Sequence, residues 1–294
     1  MTIKSIVVAL SLEDDGPRIA DRAVQLANQH SARLVAVHVV EGLDRHATGL
    51  PVDPDALATM IGEESARKLR SLLTAATKPA LIQVETGRPH AVIEAMAASH
   101  SADLIIIGPG TAKSLREKVF GSTADRVVRG APCPVLVVRS AVVAPYRHVA
   151  IGVDFSEHSR AAALSAARLA PMATRELIHG YEIPLVFKQA LLQAGTSQAE
   201  IAGYRRSRTR EARLRIRETF GEKGRLPPLT RIRIVPADPA IALLNASRRR
   251  GTDLVALGTQ GANAVAQHLL GSVARKVLTG ARCDVLVVPA ASLP

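Results

Sequence analysis

Four glycine and serine positions near the C-terminus have the types and spacing to hold an anion. Gly258 closes an apolar run, Gly261 follows after two residues, and Gly271-Ser272 follows after nine more, opening the helical stretch Val273 to Gly280. Glycines let a backbone approach a ligand closely, and a Gly-Ser step at a helix start offers backbone N–H groups and a hydroxyl to a phosphate chain. Turn geometry accounts for the same glycines equally well. Asp154 directly follows another apolar run, Val149 to Val153. A carboxylate there would accept hydrogen bonds from a ribose or a base, or it would cap a helix beginning near Ser156 or Glu157.

These positions share one place only if the apolar runs are neighbouring strands of a parallel sheet, because ligands of such sheets sit outside the carboxyl ends of the strands. The chain alternates short apolar runs with amphipathic stretches, the pattern of repeated βαβ units. Strands are expected near 3–10, 33–39, 81–85, 103–108 and 134–138, then near 148–153, 175–181, 231–235, 253–258 and 284–288. Helices fill most of the gaps, among them His90 to His100 and a longer one over Asp53 to Ala76. The two sets of five are copies. Ala102 to Gly108 returns as Thr252 to Gly258, Gly121-Ser122 as Gly271-Ser272, and Cys133 to Val138 as Cys283 to Val288, all at an offset of 150. The first two strands of each copy match at offsets of 143 and 141, so the copies differ in length between the second strand and the third. The expected architecture is α/β, with two five-stranded parallel domains, residues 1–142 and 143–294, joined by the few residues from Ser140 to Tyr146.

Composition narrows the function classes. At 294 residues with 47% hydrophobic and 22% charged residues, each copy is long enough to bury its own core. No apolar run approaches the roughly 18 residues of a membrane-spanning helix, and Met1 to Leu10 reads as a first strand rather than a signal peptide, which points to a cytoplasmic protein. The two cysteines, Cys133 and Cys283, are too few for a disulfide framework and wrongly spaced for zinc; they read as buried thiols. His38 and His179 hold matching places at second-strand ends and read as core histidines in preference to metal ligands. The net charge of +12 is uneven: up to residue 144 Lys and Arg number 16 against 15 acids, and beyond it 22 against 11. Arg206, Arg210, Arg213 and Arg217 repeat at helical spacing, giving one stripe that is either a solvated face or a surface for an acidic partner. With 2% aromatics and no tryptophan, nucleic acid is a poor fit.

The repeat, the Gly-x2-Gly-x9-Gly-Ser spacing of Gly258, Gly261, Gly271 and Ser272, and the run Ala131 to Val138 together resemble a tandem universal stress protein. That resemblance implies a Rossmann-like, adenine-nucleotide-binding fold in each copy, and pairing of the copies through their last strands as a pseudo-dimer. It places Asp154 at the adenosine end, Gly180 and Tyr181 beside the base, Ala237 near the ribose, and Gly258, Gly261, Gly271, Ser272 and Val273 at the phosphates. The first copy departs from the pattern. Ser11 stands where Asp154 stands, and Thr111 where Gly261 stands, with Gly110 displaced by one and Pro109 stiffening the turn. It keeps Gly108, Gly121 and Ser122, and its loop carries Lys113, Arg116 and Lys118. The second copy's loop, Ala262 to Leu270, has no Lys or Arg, although basic residues are common there in ATP-binding relatives.

The expected function is therefore stress-response regulation through binding of ATP, ADP or AMP, mainly in the second domain, with Mg2+ accompanying a triphosphate through its phosphates. Two alternatives stand beside it: an interaction module that meets an acidic protein through the arginine face, and a slow ATPase. No second carboxylate or histidine is placed to activate water, and His268 reads as a surface residue, so catalysis is not expected. A homodimer of chains is a further expected form of assembly.

Overall fold

Runs such as Leu104-Ile105-Ile106-Ile107 carry no polar position because a parallel strand is covered on both faces, and all four side chains are at most 4% exposed. The computed structural model describes residues 2–12, 15–41, 53–110, 120–141, 144–182, 186, 189–190, 193–222, 226–261 and 269–289. The first half runs β1 (Ser5–Ala9), α1 (Gly16–His30), β2 (Arg33–Val40), α2 (Pro54–Leu72), β3 (Leu81–Thr86), α3 (Pro89–Ser99), β4 (Leu104–Ile107), α4 (Ser122–Gly130) and β5 (Val135–Val137). The second runs β6 (His148–Gly152), α5 (Glu157–Leu169), β7 (Thr174–Gly180), α6 (Gln198–Phe220), β8 (Thr230–Val235), α7 (Pro239–Ser247), β9 (Leu254–Gly258), α8 (Ser272–Gly280) and β10 (Asp284–Val288). No helix among the described residues is long and apolar enough to cross a membrane.

All ten strands form one sheet in the order β3-β2-β1-β4-β5-β10-β9-β6-β7-β8. Every neighbouring pair is parallel except one: β5 and β10 run antiparallel, with Leu136 opposite Leu286. The two halves are thus five-stranded parallel sheets joined edge to edge through their last strands, a pseudo-dimer within one chain. Strand alternation splits the core into two layers. Ile6, Leu104, Leu136, Ile151 and Leu286 point to the face covered by α1, α2, α5 and α6. Val7, Ile105, Val135, Val255 and Val285 point to the face covered by α3, α4, α7 and α8. Both layers continue across the seam.

Local signals set the helix limits. Ser31 ends α1 with a φ of 54°, and Pro89 and Pro239 sit in the first turns of α3 and α7, where a missing N–H costs nothing. The expected helix over Asp53 to Ala76 stops earlier, at Leu72. Beyond it the N–H groups of Leu73 and Ala76 turn back to the carbonyls of Arg70 and Leu73, tightening the chain toward β3.

A buried polar cluster pins the seam. Asp284, fully buried at the start of β10, accepts hydrogen bonds from the Arg139 and Ser140 N–H groups at 2.7 and 2.9 Å and from the Tyr146 hydroxyl at 2.7 Å. Arg22 of α1, 3% exposed, donates to the same carboxylate at 3.2 Å and lies 3.9 Å over the Tyr146 ring. The connecting segment is therefore held by both halves at once.

Candidate functional site

Parallel register brings four strand ends of the second half into one row. Gly258 pairs with Val288, Gly152 with Ile178, and Gly180 with Val235. Spatial order along this edge is β9, β6, β7, β8, and each expected site residue issues from one of these ends or from α8.

Asp154 leaves β6 in a turn in which its Oδ1 accepts the Ser156 N–H at 3.0 Å and the Ser156 hydroxyl. Ser156, not Asp154, is the N-cap of α5, accepting the Ser159 N–H at 3.2 Å. The aspartate therefore supports the cap from one oxygen and presents the other to the β9 loop. A β-carbon on Gly261 would stand 2.9 Å from Asp154 Oδ2, so only glycine fits against the carboxylate without displacing it. Gly258 is equally constrained, since a β-carbon there would lie 2.7 Å from that of His158 on α5.

The N-terminus of α8 closes over the same loop. Gly271 is its N-cap, with no side-chain cap, and its N–H donates to the Thr259 carbonyl at 2.8 Å. Ser272 is exposed and Val273 half-buried in the first turn. The partial positive charge of the helix start thus faces the Gly258–Gly261 turn. Gly258, Gly261, Gly271, Ser272, Val273 and Asp154 come together as one cluster.

Gly180 and Ala237 form a second group one strand further along. A β-carbon on Gly180 would meet the Ala237 carbonyl oxygen at 3.0 Å, and the N–H groups of Tyr181 and Ala237 both donate to the Val235 carbonyl. Tyr181 turns away from the glycine cluster: its ring is buried and its hydroxyl donates to the Arg205 carbonyl of α6 at 3.2 Å. His179 donates from Nδ1 to the Val153 carbonyl at 2.8 Å, and His38 makes the same bond to Leu10 in the first half. Both are tied into the ends of first strands, and among the described residues no group of His, Cys, Asp and Glu is arranged to hold a metal. Burial pushes the His179 pKa down and outweighs the Val153 bond and Asp154, which raise it; Arg208 and Arg215 also lower it.

The equivalent turn of the first half is built differently. Gly110 has a φ of 82° and lies against Gly121, whose N–H donates to the Pro109 carbonyl at 2.9 Å. The backbone bond of the second half is preserved with a left-handed glycine in place of the Gly261 contact. Thr111, Lys113, Arg116 and Lys118, and His268 in the other loop, lie outside the described residues.

Three residues of the site had no signal in the sequence. Thr259 is buried and supplies the carbonyl that anchors α8; Gln260 Nε2 donates to the Leu269 carbonyl at 3.3 Å across the loop. Phe155 has a φ of 66° and packs between His179, ring centroids 4.7 Å apart, and the Arg215 guanidinium at 4.2 Å. A bulky residue in that conformation is unmarked in sequence, where Asn or Gly would have been the cue.

The sequence profile of the universal stress protein family matches residues 2–139 and again 145–289. A universal stress protein of Thermus aquaticus is 34% identical over 139 residues, which is 46% of this chain and 98% of that protein. One from Mycobacterium tuberculosis strain H37Rv is 31% identical over 197 residues, 64% of this chain and 62% of its own length. Among solved structures, a universal stress protein from Archaeoglobus fulgidus shares the fold with a TM-score of 0.67 at 18% identity, covering 97% of this chain and 98% of that one. With two successive matches spanning nearly the whole polypeptide, this chain belongs to the universal stress protein family, as a tandem member.

Proposed function

We propose that the chain is a stress-response regulator that binds an adenine nucleotide, ATP or else ADP or AMP, at the strand ends of its second half. The observation that carries the reading is the apposition of Gly261 and Asp154 beneath the uncapped start of α8. A phosphate chain would lie over the Gly258–Gly261 turn and take the N–H groups of Ser272 and Val273. Asp154 would accept from the ribose, with Gly180, Tyr181 and Ala237 flanking the ribose and base. Mg2+ would enter bound to the phosphates. The function is occupancy rather than turnover: the nucleotide stabilises whichever arrangement binds it better, and a partner senses that arrangement. Residues 1–142 form the structural partner domain and residues 143–294 the working one.

Isothermal titration with ATP, ADP and AMP, together with mass spectrometry of any co-purified ligand, tests this. The expected result is micromolar binding at about one site per chain, abolished by Gly261→Val, which drives a side chain into the carboxylate, and by Asp154→Ala. Absence of both binding and carried ligand would overturn the nucleotide reading. A second reading, docking of an acidic protein on the arginine face, is favoured by one observation: Arg206, Arg210, Arg213 and Arg217 are all exposed along α6.

A further inference from the structure

Beyond the glycine edge, a separate cavity of about 360 Å3 opens between the end of β7, the turn after β8 and one face of α6. Tyr181 and Pro236 line one side, and Arg205, Arg206, Arg210 and Arg213 the other. Helical geometry makes this convergence: residues 206, 210 and 213 fall on one face over two turns, and 205 flanks them. The Tyr181 hydroxyl bonds the Arg205 carbonyl at 3.2 Å and stands 3.3 Å from Thr209 Oγ1, fixing the wall against the helix.

The charge in this cavity has no internal answer. Among the described residues no carboxylate pairs with any of the four arginines; Glu211, on the same helix, is engaged by Arg208 at 3.3 Å. Four arginines carried side by side on one stretch of α6 without a counter-charge repel one another, and an anion held at the mouth of the cavity relieves that repulsion. Guanidinium forks match phosphate oxygens two at a time, and their stems with Tyr181 and Pro236 supply an apolar floor. We propose that this pocket is a binding site for a small ligand bearing several phosphate groups.

Shape separates a small ligand from a macromolecule. The volume falls within the range of roughly 300 to 1,000 Å3 typical of small-molecule sites. A single-stranded nucleic acid would call for successive aromatic platforms, and the cavity offers one tyrosine. The site shares only Tyr181 with the proposed nucleotide position and does not depend on that reading.

Titration of the full-length protein with inorganic tripolyphosphate tests the proposal. Wild type is expected to bind, and the Arg210→Ala/Arg213→Ala double variant to bind about tenfold or more weakly. Arg231→Ala, which removes an exposed arginine of β8 outside the cavity, is expected to retain wild-type affinity for the same probe. A second double variant, Arg206→Ala/Arg213→Ala, guards against misfolding of the first and is expected to weaken binding likewise. Absence of tripolyphosphate binding, or binding indifferent to both double variants, would overturn the proposal, as would loss in Gly261→Val, which would assign the phosphates to the glycine edge. Tighter arginine-dependent binding of a polyglutamate peptide or an oligonucleotide would replace the small ligand by a macromolecule. ATP binding lost in the arginine variants but kept in Gly261→Val and Asp154→Ala would support this pocket and overturn the glycine-edge reading instead.

Discussion

Cys133 and Cys283 stand just before the last strand of each half, 7% and 3% exposed. Burial pushes both thiols up to about 12, so almost no thiolate forms at neutral pH. Ellman's reagent is therefore expected to label neither cysteine in the native protein and both in concentrated urea; rapid labelling of folded protein would contradict the packing. His179 has the opposite practical consequence. Its folded pKa lies below the ordinary imidazole value of about 6.5, so its contribution is full above that pH and is lost as the pH falls below it, when the unfolded chain takes up the proton first. Urea unfolding between pH 7.5 and about 5 should show wild type losing stability faster than His179→Asn, whose side chain cannot charge. Some residue roles were legible beforehand, such as the two buried thiols, because cysteine inside an apolar run has few other uses. The sequence does not separate Ser156 from Asp154 as the α5 cap, because two candidate acceptors two residues apart give the same pattern until the backbone chooses between them.

At the scale of elements, strands were readable and helix limits less so. A run such as Leu104 to Ile107 is apolar at every position because both faces are covered, and nothing else in this composition produces it. The helix over Asp53 to Ala76 overshot because Leu73, Ala75 and Ala76 continue its apolar spacing; only the tightening turn after Leu72 ends it. The arginine stripe of α6 was visible as periodicity, but its cavity depends on Tyr181 and Pro236, which arrive from two other strands. Capping carries part of the stability of α7. Asp238 accepts the Ile241 N–H at 3.0 Å, a bond that holds its carboxyl below the usual carboxylate range. Asp238→Ala is expected to lower unfolding free energy by about 1 kcal/mol in urea titrations. The gap should narrow in acid, as the pH falls through the depressed pKa and the carboxyl protonates.

For the whole molecule, the seam between β5 and β10 decides the arrangement. Because that pair alone is antiparallel, strands of the first half point one way and those of the second the other. The Gly108 edge and the Gly258 edge therefore lie on opposite sides of the sheet, and the two glycine turns share no atom. The repeat made the two halves obvious from sequence. The cluster holding them was not, because Arg22 and Asp284 lie 262 positions apart and an aspartate opening a strand reads as a turn residue. Asp284→Ala would leave the Arg22 guanidinium buried without its counter-charge, and a loss of about 3–5 kcal/mol is expected in urea unfolding. A change below about 1 kcal/mol would show the cluster to be dispensable. Asp284 occupies the place that Pro134 holds in the first half. In an assembly of two identical chains, any substitution at such a seam enters twice, once on each side of the axis, and must suit both. Fusion into one polypeptide removes that constraint, so each half can acquire residues the other could not tolerate, and a lone carboxylate can be enclosed where a mirrored pair would repel.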